Sequence, residues 1–315
     1  MVTVPPMSLP ATAFLGLGAL GTPMALRLVG GGVPLTVHNR TRSREEPLVV
    51  AGARRAATPA GAAAGAAILC LCLSDDRVVR AVLLGEDGAP DPAIAGLAPG
   101  SLVVDFSTIA PATAEALAAV LAERGVAYLD APVTGGTEGA RAGTLTVLAG
   151  GSEEHMERAR PLLELVGRSH HHFGPVGSGQ RVKAVNQVLV AGSYAAVAEA
   201  MALGLRLALP MEQVRQALVG GAAGSWALEH RAANMLTDSY PLGFRLALHR
   251  KDLAIALAAA AAVGLELPVC QRVAAIEEVL IERGFGDEDV SALARWFAPD
   301  DERSGRMNGA FLPAP

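Results

Sequence analysis

The stretch AFLGLGALG, residues 13–21, decides the fold of this 315-residue chain. The short apolar run Ala13 to Leu17 predicts a β-strand, and Pro23 is well placed in the first turn of a following helix. Glycines spaced GxGxxG between a strand and a helix allow a tight turn and bring a pyrophosphate close to the helix N-terminus. The stretch therefore predicts a dinucleotide-binding βαβ unit, with a purely structural glycine turn as the alternative. The predicted cofactor contacts in it are Gly16, Leu17, Gly18, Ala19, Leu20 and Gly21.

The end of the second predicted strand, Leu35 to His38, bears on which nicotinamide cofactor is used. NAD enzymes usually carry Asp or Glu about 20 residues beyond the glycines, where it holds the ribose 2′-hydroxyl. This chain has Asn39-Arg40-Thr41 there, and an arginine suits a 2′-phosphate by charge and by planar geometry. These three residues are predicted to bind NADP in preference, with NAD possible. The alternative for Arg40 is a solvated turn residue.

The remaining pattern predicts two domains. Strands alternate with helices up to residue 173, which indicates an α/β Rossmann-type N-terminal domain with a mainly parallel sheet. After the Gly/Pro-rich joint at 174–179 no strand signal returns, so an all-α C-terminal domain is expected, joined by a long interdomain helix from about Gln180 to Leu207. We predict a loose, disordered tail at 1–11, a dinucleotide-binding domain at 12–176, a helical substrate and oligomerisation domain at 177–298, and a second tail at 299–315.

Composition narrows the classes of partner. The formal charge of −5 and the lack of any Lys/Arg-rich stretch argue against nucleic-acid binding. The two most apolar stretches, near 182–207 and 253–265, carry or adjoin charged residues and predict buried helices rather than membrane spans. Three cysteines without ligand-like spacing suggest reduced thiols and a cytoplasmic protein. The run His170 to His172 predicts a strand end rather than a metal site, because neighbouring strand residues point to opposite faces.

The segment Lys183-Ala184-Val185-Asn186-Gln187 contains a candidate for proton transfer. Reduction of a carbonyl by hydride leaves an alkoxide that needs a proton, and the reverse reaction needs a base. A desolvated lysine can have its pKa lowered enough to do both. Asn186 and Gln187 follow Lys183 at i+3 and i+4, so all three can share one helix face.

Four further stretches follow the glycine motif in order: DFSTIAP at 105–111, DAPVTGG at 130–136, KAVNQ at 183–187, and Gly243-Phe244 through Lys251-Asp252-Leu253. Together they resemble the β-hydroxyacid dehydrogenase family, which includes 3-hydroxyisobutyrate dehydrogenases and tartronate semialdehyde (2-hydroxy-3-oxopropionate) reductases. The resemblance covers roughly residues 12–297. It implies an NAD(P)-dependent oxidoreductase that interconverts a small β-hydroxy acid and its semialdehyde.

The resemblance also implies roles for particular residues. Lys183 is the implied catalytic acid/base and Asn186 the amide that orients the substrate. The implied substrate contacts are Thr134, Gly135, Gly136, Gln187 and Phe244. Further cofactor contacts are expected at Leu73, Ser74, Thr108 and Lys251. The chain departs from the family in having Thr134 where relatives often carry serine, and Leu73-Ser74 where they commonly have Leu-Pro.

Several structural alternatives stay open beside these roles. Ser107 and Thr108 can cap the helix predicted from Pro111, Lys251 and Asp252 can form a surface ion pair, and Phe244 can be an ordinary core aromatic. The glycines after Thr134 can simply relieve strain in a flexible loop.

Two rival functions also remain. Imine reductases share this architecture but usually lack a lysine at position 183, and a non-catalytic dinucleotide-binding module is a remote alternative. The apolar helical domain suggests a homodimer or homotetramer. A small carboxylate-bearing substrate is the other expected partner, with no nucleic acid, membrane or metal.

Overall fold

The computed structural model describes residues 9–298, so most of the two predicted tails lies outside it. The described residues divide into two compact units between Gln187 and Val188, with Ala261–Val263 belonging to the first. The first unit contains a six-stranded sheet in the order β3-β2-β1-β4-β5-β6, in which every neighbouring pair is parallel. Its strands are β1 (Thr12–Leu15), β2 (Leu35–His38), β3 (Arg54–Arg55), β4 (Ile68–Leu71), β5 (Leu102–Asp105) and β6 (Ala127–Asp130).

Helices connect these strands, as parallel pairing requires. They are α1 (Gly21–Gly30), α2 (Glu46–Val50), α3 (Pro59–Ala63), α4 (Asp76–Leu84) and α5 (Pro111–Ala122), with 3-10 turns at Arg42–Glu45, Glu86–Gly88 and Ala93–Ala95. Alternate strand residues enter two different clusters: Phe14 and Cys70 pack in one, Leu15 and Leu69 in the other. A sheet buried on both faces explains why its strands are continuous apolar runs. The predicted Rossmann-type domain is confirmed.

A second, three-stranded sheet follows. Its last two strands agree with the strands that the sequence predicts at 144–148 and 169–173, and its first strand was not predicted. It comprises β7 (Val133–Thr134), β8 (Leu145–Ala149) and β9 (Gly167–His172), with β7–β8 antiparallel and β8–β9 parallel. The helices α6 (Gly136–Ala142) and α7 (Glu153–Val166) connect its strands. The histidines at 170–172 lie in β9, as predicted, and no cluster of potential metal ligands occurs among residues 9–298.

The helix α8 (Ser178–Arg206) begins in the first unit and continues into the second. The second unit is helical, as predicted for the C-terminal domain, and its only β-contact in the described range is an isolated bridge between Arg245 and Asp289. Its further helices are α9 (Met211–Val219), α10 (Trp226–His230), α11 (Ala232–Leu236), α12 (Leu246–Ala262) and α13 (Pro268–Leu280), followed by a π-helical turn at Ile281–Phe285 and a 3-10 segment at Val290–Phe297.

Helix α8 is less buried than the sequence suggested. It is the one helix in the described range that is long and apolar enough to cross a membrane by length and composition, with a mean hydropathy of 1.7 in its most apolar window. Only 33% of that window is buried within the chain. The expectation of a buried helix was therefore wrong for much of α8, since Val185 and Leu189 are 63% and 70% exposed.

Candidate active site and cofactor site

The glycine turn between β1 and α1 is packed too tightly for side chains at its two ends. Gly16 has φ +98°, and a Cβ there would lie 2.2 Å from the Cys72 carbonyl oxygen at the end of the neighbouring strand. A Cβ at Gly21 would lie 2.0 Å from the Gly16 carbonyl oxygen and 3.2 Å from the Phe14 ring. Both ends of the turn therefore require glycine, and Pro23 lies in the first turn of α1, as predicted.

The middle of the same turn is open. A Cβ at Gly18 would meet nothing within 4 Å, and Ala19 is exposed. The N-cap of α1 is Leu20, and no side chain caps the helix there. The first N–H groups of a helix are left without intrahelical partners and favour an anion. The turn therefore fits a pyrophosphate, for which Gly18 leaves room and α1 supplies the positive end of its dipole.

Asn39, directly after β2, ties this turn to the next. Its Oδ1 accepts a hydrogen bond from the Leu17 N–H at 2.9 Å, and its Nδ2 donates to the Thr41 carbonyl at 2.9 Å. Arg40 and Thr41 are exposed. The structure thus gives Asn39 a role in shaping the loop and presents Arg40 to solvent at the carboxyl edge of the sheet, where α/β folds bind ligands.

Glu45 stabilises this loop through its side chain, and it was not predicted from the sequence. Glu45 is fully buried, and its Oε1 accepts the Asn39 N–H at 2.8 Å. The same carboxylate pairs with Arg42 and with Arg55, both at 2.8 Å. A buried carboxylate with two guanidinium partners is well compensated. It holds two further arginines beside the exposed Arg40 loop.

The loops after β4 and β5 are joined to each other. Ser107 is buried, and its Oγ accepts the Leu73 N–H at 2.9 Å. Asp76 in turn accepts the Ala110 N–H at 2.9 Å. The N-cap of α5 is Ala110, without a side-chain cap, so the alternative that Ser107 or Thr108 caps this helix was wrong. Thr108 is half-buried between these connections, and Ser74 is exposed.

Lys183 lies buried near the start of α8. It is 7% exposed, and its Nζ donates to the Val133 carbonyl at 3.0 Å. Gln187, one turn later, is 1% exposed, and its Oε1 accepts from the Asn186 Nδ2 at 2.7 Å. Lys183 and Gln187 share the buried side of the helix and Asn186 is half-buried beside them. A buried amine beside a backbone carbonyl and two amides makes this helical turn the candidate for proton transfer.

The residues Thr134, Gly135 and Gly136 make the transition from β7 to α6. Thr134 ends the strand, and Gly135 and Gly136 have φ values of +128° and +64°. Only glycine adopts such angles readily. A Cβ on Gly135 would also lie 3.2 Å from Leu145. The glycines therefore hold a defined turn rather than a loop without structure, directly after the Val133 carbonyl that Lys183 contacts.

Two buried carboxylates support the same edge of the sheet. Asp105 accepts the Tyr128 hydroxyl and the Ser107 N–H, each at 2.9 Å. Burial raises its pKa to about 6, although these hydrogen bonds act in the opposite direction. Burial likewise raises the pKa of Asp130 to about 6, although the hydrogen bonds from the N–H groups of Gly177 and Gln180 lower it. Both side chains hold backbone in place at the carboxyl ends of β5 and β6.

In the second unit, Phe244 is half-buried and meets His249 edge to face at 5.7 Å between ring centroids. Its backbone N–H donates to Asp289 at 2.9 Å. Lys251 on α12 pairs with Asp252 at 2.8 Å. Asp252 is 3% exposed, so the pair is not the surface ion pair that the sequence left open as an alternative.

The distribution of lysine along the chain is a further signal in the sequence. Among the 26 Lys and Arg residues of the whole chain, Lys183 and Lys251 are the only lysines. Arginine stays protonated at any pH that a protein survives, whereas lysine can release its proton when buried. A chain that otherwise uses arginine for positive charge has kept lysine at two positions, both within the motifs of the resemblance.

Comparison with known proteins agrees with this geometry. Residues 11–174 match the family model for the NAD-binding domain of 6-phosphogluconate dehydrogenase. Residues 177–297 match the model described as the NAD-binding domain of NADP-dependent 3-hydroxyisobutyrate dehydrogenase. The two models together cover nearly all of the described residues.

Individual relatives are similar over the same length. The NAD-dependent L-serine dehydrogenase of Pseudomonas aeruginosa is 38% identical over 91% of this chain and 97% of its own. The 2-hydroxy-3-oxopropionate reductase of Escherichia coli is 37% identical over 90% of this chain and 95% of its own. The structure of Mycobacterium tuberculosis 3-hydroxyisobutyrate dehydrogenase with L-serine has a TM-score of 0.79 at 31% identity, covering 91% of this chain and 98% of that one.

An imine reductase from Myxococcus stipitatus shares the fold at a TM-score of 0.58, but at 20% identity, over 92% of this chain and 99% of its own, that likeness is one of fold alone. The dehydrogenase relatives are closer in sequence and carry the functional class. The nucleotide-binding turn, the helix bearing Lys183 and these matches together assign the chain to the β-hydroxyacid dehydrogenase family, as an NAD(P)-dependent dehydrogenase/reductase that acts on a CH–OH group.

Proposed function

We propose that this protein interconverts a small β-hydroxy acid and its semialdehyde, with Lys183 as the general acid and base. The observation that carries the proposal is the buried position of Lys183, whose Nζ bonds the Val133 carbonyl at 3.0 Å. A buried amine releases its proton more readily than a solvated one and regains it from solvent afterwards. In the direction of reduction Lys183 protonates the carbonyl oxygen, and in the direction of oxidation it removes the hydroxyl proton.

The cofactor, once bound at the glycine turn, supplies or accepts the hydride. Side chains and backbone groups of the first unit bind and orient the substrate. Asn186 orients the substrate, and the Thr134 hydroxyl with the N–H groups of Gly135 and Gly136 binds its carboxylate. The defined turn at these glycines supports that role, because donors already held in place bind an anion without first becoming ordered. The roles of Phe244 and Lys251 stay predictions.

The names of the relatives suggest how narrow the substrate class is. L-serine, 3-hydroxyisobutyrate and 2-hydroxy-3-oxopropionate all carry a carboxylate, a small group on C2 and a hydroxyl or aldehyde on C3. They differ in whether the C2 group is an ammonium, a methyl or a hydroxyl, and in whether C3 is an alcohol or an aldehyde. We therefore propose a three-carbon carboxylate skeleton as the substrate, with choice among these compounds resting on contacts to the C2 group that are worth about 1–3 kcal/mol each.

The same skeleton sets the first experiment. Purified protein is assayed for NADPH and NADH oxidation with 2-hydroxy-3-oxopropionate and methylmalonate semialdehyde, and for NADP and NAD reduction with L-serine and 3-hydroxyisobutyrate. Turnover of a member of this group supports the proposal. A cyclic imine serves as the control, and reduction of the imine alone, with no turnover of any carboxylate, would make the chain an imine reductase.

We also propose that NADP is preferred over NAD. The family model of the second unit names NADP, whereas the L-serine dehydrogenase relative is described as NAD-dependent, so the relatives point both ways. The chain itself has exposed Arg40 after β2, with Arg42 and Arg55 held nearby by buried Glu45. Arg42 and Arg55 are paired with Glu45, and Arg55 also with Glu46, so the positive charge that favours a 2′-phosphate rests chiefly on Arg40.

Replacing Arg40 with aspartate tests this preference. We expect the ratio of kcat/KM for NADPH over NADH to fall by about tenfold or more, because the variant exchanges attraction of the 2′-phosphate for repulsion. Arg124→Asp is the matched control, since Arg124 is exposed in the turn that leads into β6, at the amino-terminal edge of the sheet. An unchanged ratio in Arg40→Asp would show that Arg40 does not contact the 2′ position.

A homodimer or homotetramer is the proposed assembly. It is supported by exposed apolar side chains of α8 and of the residues directly after it, which are 44–70% exposed: Val185, Leu189, Leu203, Leu205, Leu207 and Leu209. We expect Leu189→Glu to weaken self-association by at least tenfold, equivalent to about 1.4 kcal/mol, because the carboxylate would be desolvated in the interface. Sedimentation velocity measures this, with Val50→Glu, at an 81% exposed valine outside α8, as control. A wild-type protein that sediments as a monomer at working concentration would refute the assembly.

A further inference from the structure

We propose that Gln180 is a positioning residue that couples the loop at 106–110 to the helical turn carrying Lys183. This inference rests on the proposed role of Lys183 and adds a residue to which neither the family resemblance nor the relatives' names assign a role. Gln180 lies three residues before Lys183 in α8 and is 1% exposed.

Both ends of the Gln180 amide are used, and both by the same loop. Its Nε2 donates to the Ser107 carbonyl at 2.8 Å, and its Oε1 accepts the Ile109 N–H at 3.2 Å. The two bonds bracket Thr108, the residue predicted to contact the cofactor. An amide donates and accepts in fixed directions, so this pair of contacts sets both the distance and the orientation of the loop relative to α8.

A second anchor fixes the same turn of α8. Asp130 accepts the Gly177 N–H at 2.7 Å and the Gln180 N–H at 2.9 Å. Gly179, between Gly177 and Gln180 in the chain, has no room for a side chain, because a Cβ there would lie 2.2 Å from the Leu148 carbonyl oxygen. The helix start is therefore fixed by its backbone to β6 and β8, and by the Gln180 side chain to the loop after β5.

These anchors determine where the Lys183 amine lies. An α-helix rotates about 100° per residue, so a small change at its start turns every later side chain. Lys183 Nζ donates to the Val133 carbonyl, three residues beyond Asp130. The segment 130–133 therefore contacts both the start of α8 and the Lys183 amine. A displacement of about 1 Å in a reacting group can cost about 100-fold in rate. Burying the Gln180 amide costs desolvation free energy. A role in coupling the loop to α8 explains why a polar side chain occupies this buried position.

The test compares Gln180→Met with Gln180→Glu. Methionine fills a similar volume without either hydrogen bond, and we expect it to lower kcat by roughly 10- to 100-fold while the tryptophan-monitored Kd for cofactor changes far less. Glutamate keeps the acceptor for Ile109 N–H, but it regains a donor for the Ser107 carbonyl only when it is protonated. The kcat of Gln180→Glu relative to wild type should therefore rise as pH falls. If Gln180 only stabilised the fold, the kcat of folded protein would show no such dependence on pH.

A spectroscopic measurement covers a variant that is too inactive to assay. Because the chain has two lysines, labelling with [ε-¹³C]lysine gives two side-chain signals, and Lys183→Arg assigns them. Gln180→Met should shift the Lys183 signal and leave that of Lys251 in place. Gln216→Met, at an exposed glutamine of α9 that bonds Glu212, is the matched control and should move neither signal.

The outcomes separate this inference from the proposed function. Near-normal turnover in Lys183→Ala would defeat the proposed function itself. Loss of turnover in Lys183→Ala, combined with an unchanged kcat and an unmoved Lys183 signal in Gln180→Met, would defeat the coupling and leave the function standing. If Gln180→Met does not fold, a Gln180→Glu protein whose relative kcat is the same at every pH overturns the inference.

Discussion

Replacing Lys183 with alanine should lower kcat by about 10²- to 10⁴-fold, the usual contribution of a general acid or base. The free energy of cofactor binding should change little, because the glycine turn and the Asn39 loop lie at the carboxyl ends of β1 and β2 and do not include Lys183. Initial rates with the best substrate of the panel and fluorescence titration of NADPH measure the two quantities separately.

Two further substitutions show why the activity is lost. Lys183→Met keeps most of the side-chain volume, so a loss equal to that of alanine excludes a simple cavity effect. Lys183→Arg keeps the positive charge but cannot release a proton at neutral pH. Activity in the arginine variant close to wild type would mean that position 183 supplies charge alone, and the proton-transfer role would have to be abandoned.

The main elements of the fold could be predicted because their signals are local. The run from Ala13 to Gly21 contains a strand, a turn and a helix start within nine residues, and the alternation of apolar strands with helices repeats through β6. Boundaries differed by one or two residues, as at α8, which begins at Ser178 where the sequence predicts a start at about Gln180. In the second sheet β8 and β9 were predicted, whereas β7 escaped prediction because it has only two residues, Val133 and Thr134, too few for any periodicity.

The supporting residues of the candidate site could not be predicted, for a different physical reason. Glu45, Asp130 and Gln180 all act through hydrogen bonds to backbone groups. A backbone N–H or carbonyl has the same chemistry at every position. The residue whose backbone group is bonded therefore need not be of any particular type, and the sequence does not reveal it. The Gln180 side chain, for example, contacts groups 71 and 73 residues away. One usable signal did exist in the sequence, namely the restriction of lysine to positions 183 and 251.

Glycine substitutions in the cofactor turn should separate folding from binding, with opposite results at Gly21 and Gly18. Alanine normally stabilises a helix by up to about 1 kcal/mol relative to glycine. At Gly21 we expect the reverse, a loss of about 1–3 kcal/mol in the free energy of unfolding, because the new Cβ would meet the Gly16 carbonyl oxygen at 2.0 Å. Thermal unfolding of the protein without cofactor should show the decrease.

Gly18→Ala should leave that free energy almost unchanged, since a Cβ there meets nothing within 4 Å. It should nevertheless raise the Kd for NADPH by about tenfold or more, because the methyl group would occupy the space that the pyrophosphate needs. Gly30→Ala, at the far end of α1 and also without neighbours within 4 Å, is the control for both measurements. If Gly18→Ala binds NADPH as tightly as wild type, the pyrophosphate does not lie against this turn, and the cofactor site has been placed on the wrong surface of α1.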